Sequence, residues 1–234
     1  MNVLAIDTCL GAVSVAVRWR DARGEWQMRE AYEERSVGHA ERLMPMTRDV
    51  MQAAGLAFSD LQRIAVTVGP GSFTGVRAGV AAARGLALAT GLPIVGATSL
   101  AVIAHRADAL LGAARAGRLL AVAVDARREM VYLQLFPHEP EAAEGAALLS
   151  SGDAAREIGG RPAIVVGSGA AAVAAAVRAA GGEAEVALTD LQPHAASLAL
   201  MAPSLVPTKP LPPLYLRPPD VRPQEDKSLP RVAP

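Results

Sequence analysis

Val68-Gly69-Pro70-Gly71-Ser72-Phe73-Thr74-Gly75-Val76-Arg77-Ala78-Gly79 stands between a short apolar run, 64–68, and an alanine-rich helical pattern, 75–90. Gly69 and Gly71 permit positive φ on either side of Pro70, so the loop can turn sharply with its amides exposed. Ser72 or Thr74 can cap the following helix, whose N-terminus favours an anion. No lysine follows the glycines as a Walker A loop requires, and the spacing is not that of a dinucleotide fingerprint. A tight structural turn and an anion cradle both fit.

Outward from this loop the chain reads as strand and helix in alternation. Upstream lie three strand patterns, 3–7, 12–20 and 25–32, separated by turns at Gly11 and at Asp21-Ala22-Arg23-Gly24. A helix is expected over 38–54. Downstream come a short strand at 93–95 and a helix at 99–111. The pattern then restarts, with strands at 118–124 and 130–136, a helix at 153–158, a strand at 163–166, and helices at 170–180 and 194–201. The chain therefore divides into two α/β units, each opening with antiparallel strands. Ten of its 17 prolines fall in the last 32 residues, a composition that cannot continue regular structure.

Composition narrows the function. Of 234 residues, 51% are hydrophobic but only 3% aromatic, so the core is built from small side chains. Lys plus Arg equals Asp plus Glu at 23 each; a protein holding nucleic acid by phosphate neutralisation alone would be basic, and no basic stripe is visible. The N-terminal residues lack the pattern of a secretory signal, and charges interrupt every apolar run before membrane-spanning length. A soluble, cytoplasmic protein is the expectation. The single cysteine, Cys9, excludes an internal disulfide framework and reads as a small buried residue at a strand end.

Several residues invite chemical roles. Leu4-Ala5-Ile6-Asp7-Thr8 sets a carboxylate and a hydroxyl at a strand end, where they could face a phosphate and its magnesium or simply serve the turn. The histidines, His39, His105, His138 and His194, lie too far apart for a helical metal-binding pair, and no Gly-x-Ser-x-Gly elbow occurs. Val165-Val166-Gly167-Ser168-Gly169-Ala170 imitates a dinucleotide turn, but its acidic partner would be Asp190, outside any strand; a structural turn is the plainer reading. On the helix at 38–54, Leu43, Met46, Val50 and Ala54 form a stripe for the sheet. Met44 and Met51, with Arg48 between, form a second stripe about 100° away, which fits either a partner-facing surface or a fully buried helix, the partner being the expectation. Gly75, Gly79 and Ala83 recur every fourth residue, which would let another helix approach closely.

The opening Leu-Ala-Ile-Asp-Thr, then Gly38-His39-Ala40-Glu41-Arg42-Leu43-Met44-Pro45, then Gly69-Pro70-Gly71-Ser72-Phe73-Thr74-Gly75-Val76-Arg77, and finally Pro213-Leu214-Tyr215-Leu216-Arg217 resemble the TsaB family, formerly YeaZ. Cys9 departs from that pattern, where serine is frequent. The resemblance implies an α/β fold of two actin-like (ASKHA, ribonuclease-H-like) subdomains: residues 1–107 with 193–217, and residues 108–192, followed by a proline-rich tail at 218–234 expected to be disordered. It implies a subunit that does no catalysis alone but binds and activates TsaD, which transfers threonylcarbamoyl to N6 of adenosine 37 of tRNA, with TsaE as accessory. Contact with tRNA would run through the complex, and the chain alone would form a homodimer. His39, Met44, Arg48, Met51, Gly75, Arg77, Gly79 and Ala83 become expected interface residues. Asp7, Thr8, Gly69, Gly71, Ser72, Thr74 and Gly75 become expected phosphate contacts. No intrinsic cofactor or metal is implied, although ATP or ADP could sit at or near the TsaD interface. The rival readings are an ASKHA small-molecule kinase using Asp125, an M22-type peptidase, which the histidine spacing disfavours, and a scaffold without ligand.

Overall fold

Val3–Asp7 (β1) is apolar on both faces up to its final residue, and it forms the centre of a five-stranded sheet. In this computed structural model, which describes residues 1–137 and 145–217, β1 pairs antiparallel with Ala12–Arg20 (β2) and parallel with Arg63–Thr67 (β4). Trp26–Glu34 (β3) and Ile94–Ala97 (β5) form the two edges, giving the order β3-β2-β1-β4-β5. The second sheet repeats this wiring. Leu119–Asp125 (β6) is central, antiparallel to Met130–Phe136 (β7) and parallel to Ala163–Val166 (β9). Ala147–Ser150 (β8) and Ala184–Ala187 (β10) are its edges, in the order β10-β9-β6-β7-β8. Two mixed sheets of identical topology make the two-subdomain, actin-like fold.

His39–Ala54 (α1) and Phe73–Thr90 (α2) cover one face of the first sheet. Leu43, Met46 and Val50 from α1, and Val76, Val80 and Ala83 from α2, pack against Leu4, Ile6, Val13 and Val15. Ser151–Ile158 (α4) and Ala170–Ala179 (α5) cover the matching face of the second sheet. The remaining helices are exchanged. Ser99–Leu111 (α3) follows β5, yet its Leu100, Ile103 and Ala104 pack on Leu120, Val122 and Ile164 of the second sheet. Ala195–Met201 (α6) follows β10, yet its Leu198 and Ala199 pack on Val3, Ala5 and Ala16 of the first. The Ser14 hydroxyl of β2 accepts the α6 amide of Ala195 at 2.9 Å, so each subdomain closes the other's layer.

The element boundaries differ from the sequence reading where side chains or pairing decide them. The α1 helix starts after Gly38, held at φ 77°, and runs through Pro45 to Gly55 at φ 67°. The α4 helix begins two residues earlier than periodicity suggests, because the Ser150 hydroxyl caps it by accepting the Asp153 amide at 3.1 Å. Neither β8 nor β10 was expected. Ala147–Ser150 and Ala184–Ala187 lack the fully apolar run that marks β9, and each lies at an edge of its sheet. The α3 helix straddles the expected boundary at 107, also giving Val102 to the first sheet's cluster. The tail at 218–234 and His138 lie outside the described residues. Among the described residues, no helix is long and apolar enough to cross a membrane.

Candidate functional site: an interdomain cleft and an adjoining helical face

Where the two sheets face each other, a cleft of about 850 Å³ opens, lined by Gly71, Ser72 and Thr74 on one side and Asp125, Arg127 and Ser168 on the other. Ser72 caps α2, its hydroxyl accepting the Gly75 amide at 3.3 Å. On the facing side the Ser168 hydroxyl accepts the Asp125 amide at 3.0 Å, and Asp125 Oδ1 accepts the Arg127 amide at 2.9 Å. Arg127, Arg128 and Glu129 all hold positive φ, so the β6–β7 turn is a left-handed run without glycine, unusual for residues with a Cβ.

Asp7 and Thr8 are buried and are not among the residues that line this cleft. The glycine-rich loop lies directly on the β1–β2 turn. The Ser72 amide donates to the Cys9 carbonyl at 2.7 Å, and Thr8 Oγ1 donates to the Gly75 carbonyl at 2.6 Å. A Cβ at Gly71 would sit 2.1 Å from the Cys9 oxygen, and one at Gly75 2.1 Å from the Thr8 oxygen. These glycines are needed for close approach of two backbone segments. Of the expected phosphate contacts, Gly71, Ser72 and Thr74 line the cleft. Asp7 and Thr8 are buried, and Gly69 packs against the Leu214 carbonyl.

Burial changes the chemistry of Asp7. One carboxylate oxygen accepts from the Thr67 hydroxyl and, at 3.3 Å, from the Cys9 amide; the other has no partner. Desolvation outweighs these bonds and raises the pKa to about 7. Burial, and then the Asp7 charge, push the Cys9 thiol up, so it stays a neutral group donating toward Thr67. These residues do not fit a magnesium–nucleotide held through Asp7.

The α1–α2 face is also redistributed. Met44 is 44% exposed and Arg48 projects beside Asp49. Met51, expected beside them, is only 2% exposed and belongs to the core cluster that also holds Leu61, with Leu56 and Phe58 packed against it. Gly79 and Ala83 are buried too. A Cβ at Gly79 would lie 2.5 Å from Thr8 Oγ1, so the fourfold small-residue stripe seats α2 on its own sheet rather than receiving a partner helix. His39 is nearly buried, its Nε2 3.0 Å from the Leu10 carbonyl. Arg77 is engaged within the chain: its guanidinium lies 3.8 Å above Phe73, and its Nε donates to the Tyr215 hydroxyl at 3.0 Å.

Sequence reasoning missed what the C-terminal segment does. The Leu214 amide donates to the Val68 carbonyl at 2.7 Å, Tyr215 packs on Phe73 at 5.1 Å, and Arg217 reaches the Arg127 carbonyl at 3.4 Å. Residues 214–217 thus strap the glycine loop to the opposite turn. The Pro-Leu-Tyr-Leu-Arg string was visible, but its destination was not. Among the described residues, no group of three or more His, Cys, Asp or Glu side chains is placed to hold a metal.

A family model described as TsaD, tRNA N6-adenosine threonylcarbamoyltransferase, matches residues 33–191. An uncharacterized protein of Mycobacterium tuberculosis is 33% identical over 223 residues, covering 95% of this chain and 94% of that one. The structure of YeaZ from Pseudomonas aeruginosa superposes with a TM-score of 0.70 at 30% identity, covering 92% of this chain and 99% of that one. The chain belongs to the TsaB (YeaZ) family. The tRNA threonylcarbamoyladenosine biosynthesis protein TsaB of Escherichia coli is 39% identical over 132 residues, 56% of this chain. That match spans about half the length of the curated relative, 53%. Within the TsaB family frame, the strap borders the cleft, the Asp7 corner is buried beneath the glycine loop, and Met44 and Arg48 are exposed on α1.

Proposed function

We propose that this chain serves in the formation of threonylcarbamoyladenosine on tRNA, as a subunit that binds and activates TsaD in the cytoplasm and does not itself transfer the group. Family membership carries the reading, since the E. coli relative is named for that biosynthesis. The geometry agrees with a supporting role: the carboxylate that an ATP-using actin-like enzyme would turn toward magnesium is here buried under the glycine loop. The partner face comprises the outer side of α1 around Met44 and Arg48, with exposed Val37 before it and the Phe73–Arg77 edge of α2 beside it. TsaE joins as accessory, and the same α1 surface pairs two copies when TsaD is absent. Any ATP or ADP bound near the TsaD interface is held at the rim formed by Ser72, Thr74 and Arg127, without Asp7.

The experiment is subunit omission. Unmodified tRNA, ATP, threonine and bicarbonate are incubated with the carbamoyl-adenylate synthase, TsaD, TsaE and this chain. Product should form only when both TsaD and this chain are present. Product with this chain alone, or full product without it, overturns the proposal.

A further inference from the structure

The outer end of the first sheet, on the face that carries α6, gathers cations that the sequence keeps apart. Ala16 faces α6, and by strand alternation Arg18 and Arg20 project from the same side of β2. Their cross-strand partners on β3 are Met28 and Trp26. The Arg18 guanidinium lies 3.5 Å from the centroid of the Trp26 ring and that of Arg20 lies 4.7 Å away. Arg63 joins them, because Val3 of β1 is in register with Arg18 on one side and Arg63 on the other. Among the described residues, Arg63 Nη1 donates to carbonyls, at 2.6 Å to Ala202, 3.3 Å to Pro203 and 3.0 Å to Leu205. Among the described residues, the ion pairs fall elsewhere, and none neutralises these three arginines. The nearby carboxylate of Asp21 is occupied within its own hairpin, accepting from the amides of Arg23 and Glu25 and from Gln27. The Met1 α-amino group is pushed down by burial and then by Arg18 and Arg20, so both cations act at one point.

We propose that Arg18, Arg20 and Trp26, backed by Arg63, form a contact for the sugar–phosphate backbone of the RNA substrate. This rests on the function proposed above, which supplies the RNA, and it adds a direct contact by this chain. Guanidiniums stacked on an indole are held in place before binding, so less side-chain freedom is lost when their outward N–H groups meet phosphate. The patch lies on the sheet face opposite α1 and α2, so a partner seated on those helices leaves it open. A net charge of zero is compatible with such a surface, because what phosphate neutralisation needs is a local excess of cations.

The test uses the complex of the full chain with TsaD, and compares the parent with Arg18→Gln/Arg20→Gln. Binding of fluorescent, unmodified tRNA is followed by anisotropy across a salt series. Loss of the two cations should weaken binding about five- to tenfold at low salt and make the plot of log K against log salt shallower by about two. A control pair, Arg161→Gln/Arg178→Gln, removes the same charge from the second subdomain and should change neither quantity. Unchanged binding in the first pair, or equal loss in both, overturns the contact. Competition by polyglutamate or anionic vesicles as effective as that by tRNA would assign the patch to another partner and likewise overturn it. Unchanged tRNA binding, with modification still requiring this chain, would remove this inference alone. Modification that proceeds without the chain would remove the function itself.

Discussion

At the scale of single residues, Asp7 shows how a short motif changes meaning when it is buried. Leu-Ala-Ile-Asp-Thr allowed either a phosphate corner or a turn, and with Gly71 packed on the Cys9 carbonyl the carboxyl is buried. Its pKa, raised to about 7, has a consequence for stability. A carboxyl whose folded value exceeds its unfolded one holds a proton that the unfolded chain has lost. Its contribution is fully present below the unfolded value of 3.8 and disappears as pH rises through about 7. Across that window stability should fall by up to about 1.4 kcal/mol per pH unit from this group. Asp7→Asn should flatten that slope, gaining stability relative to the parent at pH 8 and not at pH 4. Urea unfolding at a series of pH values measures it, and parallel curves for the two proteins would refute the assignment.

At the scale of elements, Met44 and Met51 lie only about 20° apart on the helical wheel of α1, within one stripe, yet their surroundings are opposite. Met51 lies in the same core cluster as Leu61, with Leu56 and Phe58 packed against it, whereas Met44 is 44% exposed among the described residues. Met44→Asp should therefore leave the melting temperature nearly unchanged and weaken association with TsaD, or self-association, by at least tenfold. Val50→Asp and Met51→Asp should both lower the melting temperature sharply, because each buries an unpaired carboxylate at a cost of several kcal/mol. Thermal unfolding combined with size-exclusion chromatography separates these outcomes. A drop for Met44→Asp as large as that for Val50→Asp would mean that the outer face of α1 is core. Apolar periodicity could place the helix and its sheet stripe, but not its second face, since the residues that join Met51 in the core lie outside the helix.

At the scale of the whole molecule, the exchanged helices bind two sheets into one folding unit. The α6 helix completes the core of the first sheet and α3 that of the second, so neither subdomain has a finished core on its own. Leu198→Ala removes a fully buried side chain from the first sheet's cluster and should cost about 2–5 kcal/mol. Because the helices cross over, both sheets should lose that stability together, read as equal losses of amide-exchange protection in β1 and β6. A loss confined to β1 would show that the subdomains open independently.

The sequence by itself determined most of the central elements. Runs such as 3–7, 119–125 and 163–166 are apolar on both faces, and glycines, capping residues and hairpin turns mark where they end. It determined the order of elements in the two units, and it pointed to the glycine-rich loop as the decisive turn. The tertiary structure alone decided the edge strands β8 and β10, which the sequence reading did not expect. It also decided that α3 packs on the second sheet, which depends on which sheet the helix meets, whereas the return of residues 193–217 to the first unit was implied by the family resemblance. The sealing of Asp7 follows the same logic, because backbones 60 residues apart must touch before desolvation can act. So does the clustering of Arg18, Arg20 and Arg63, whose nearness comes from strand register and leaves no trace in linear spacing.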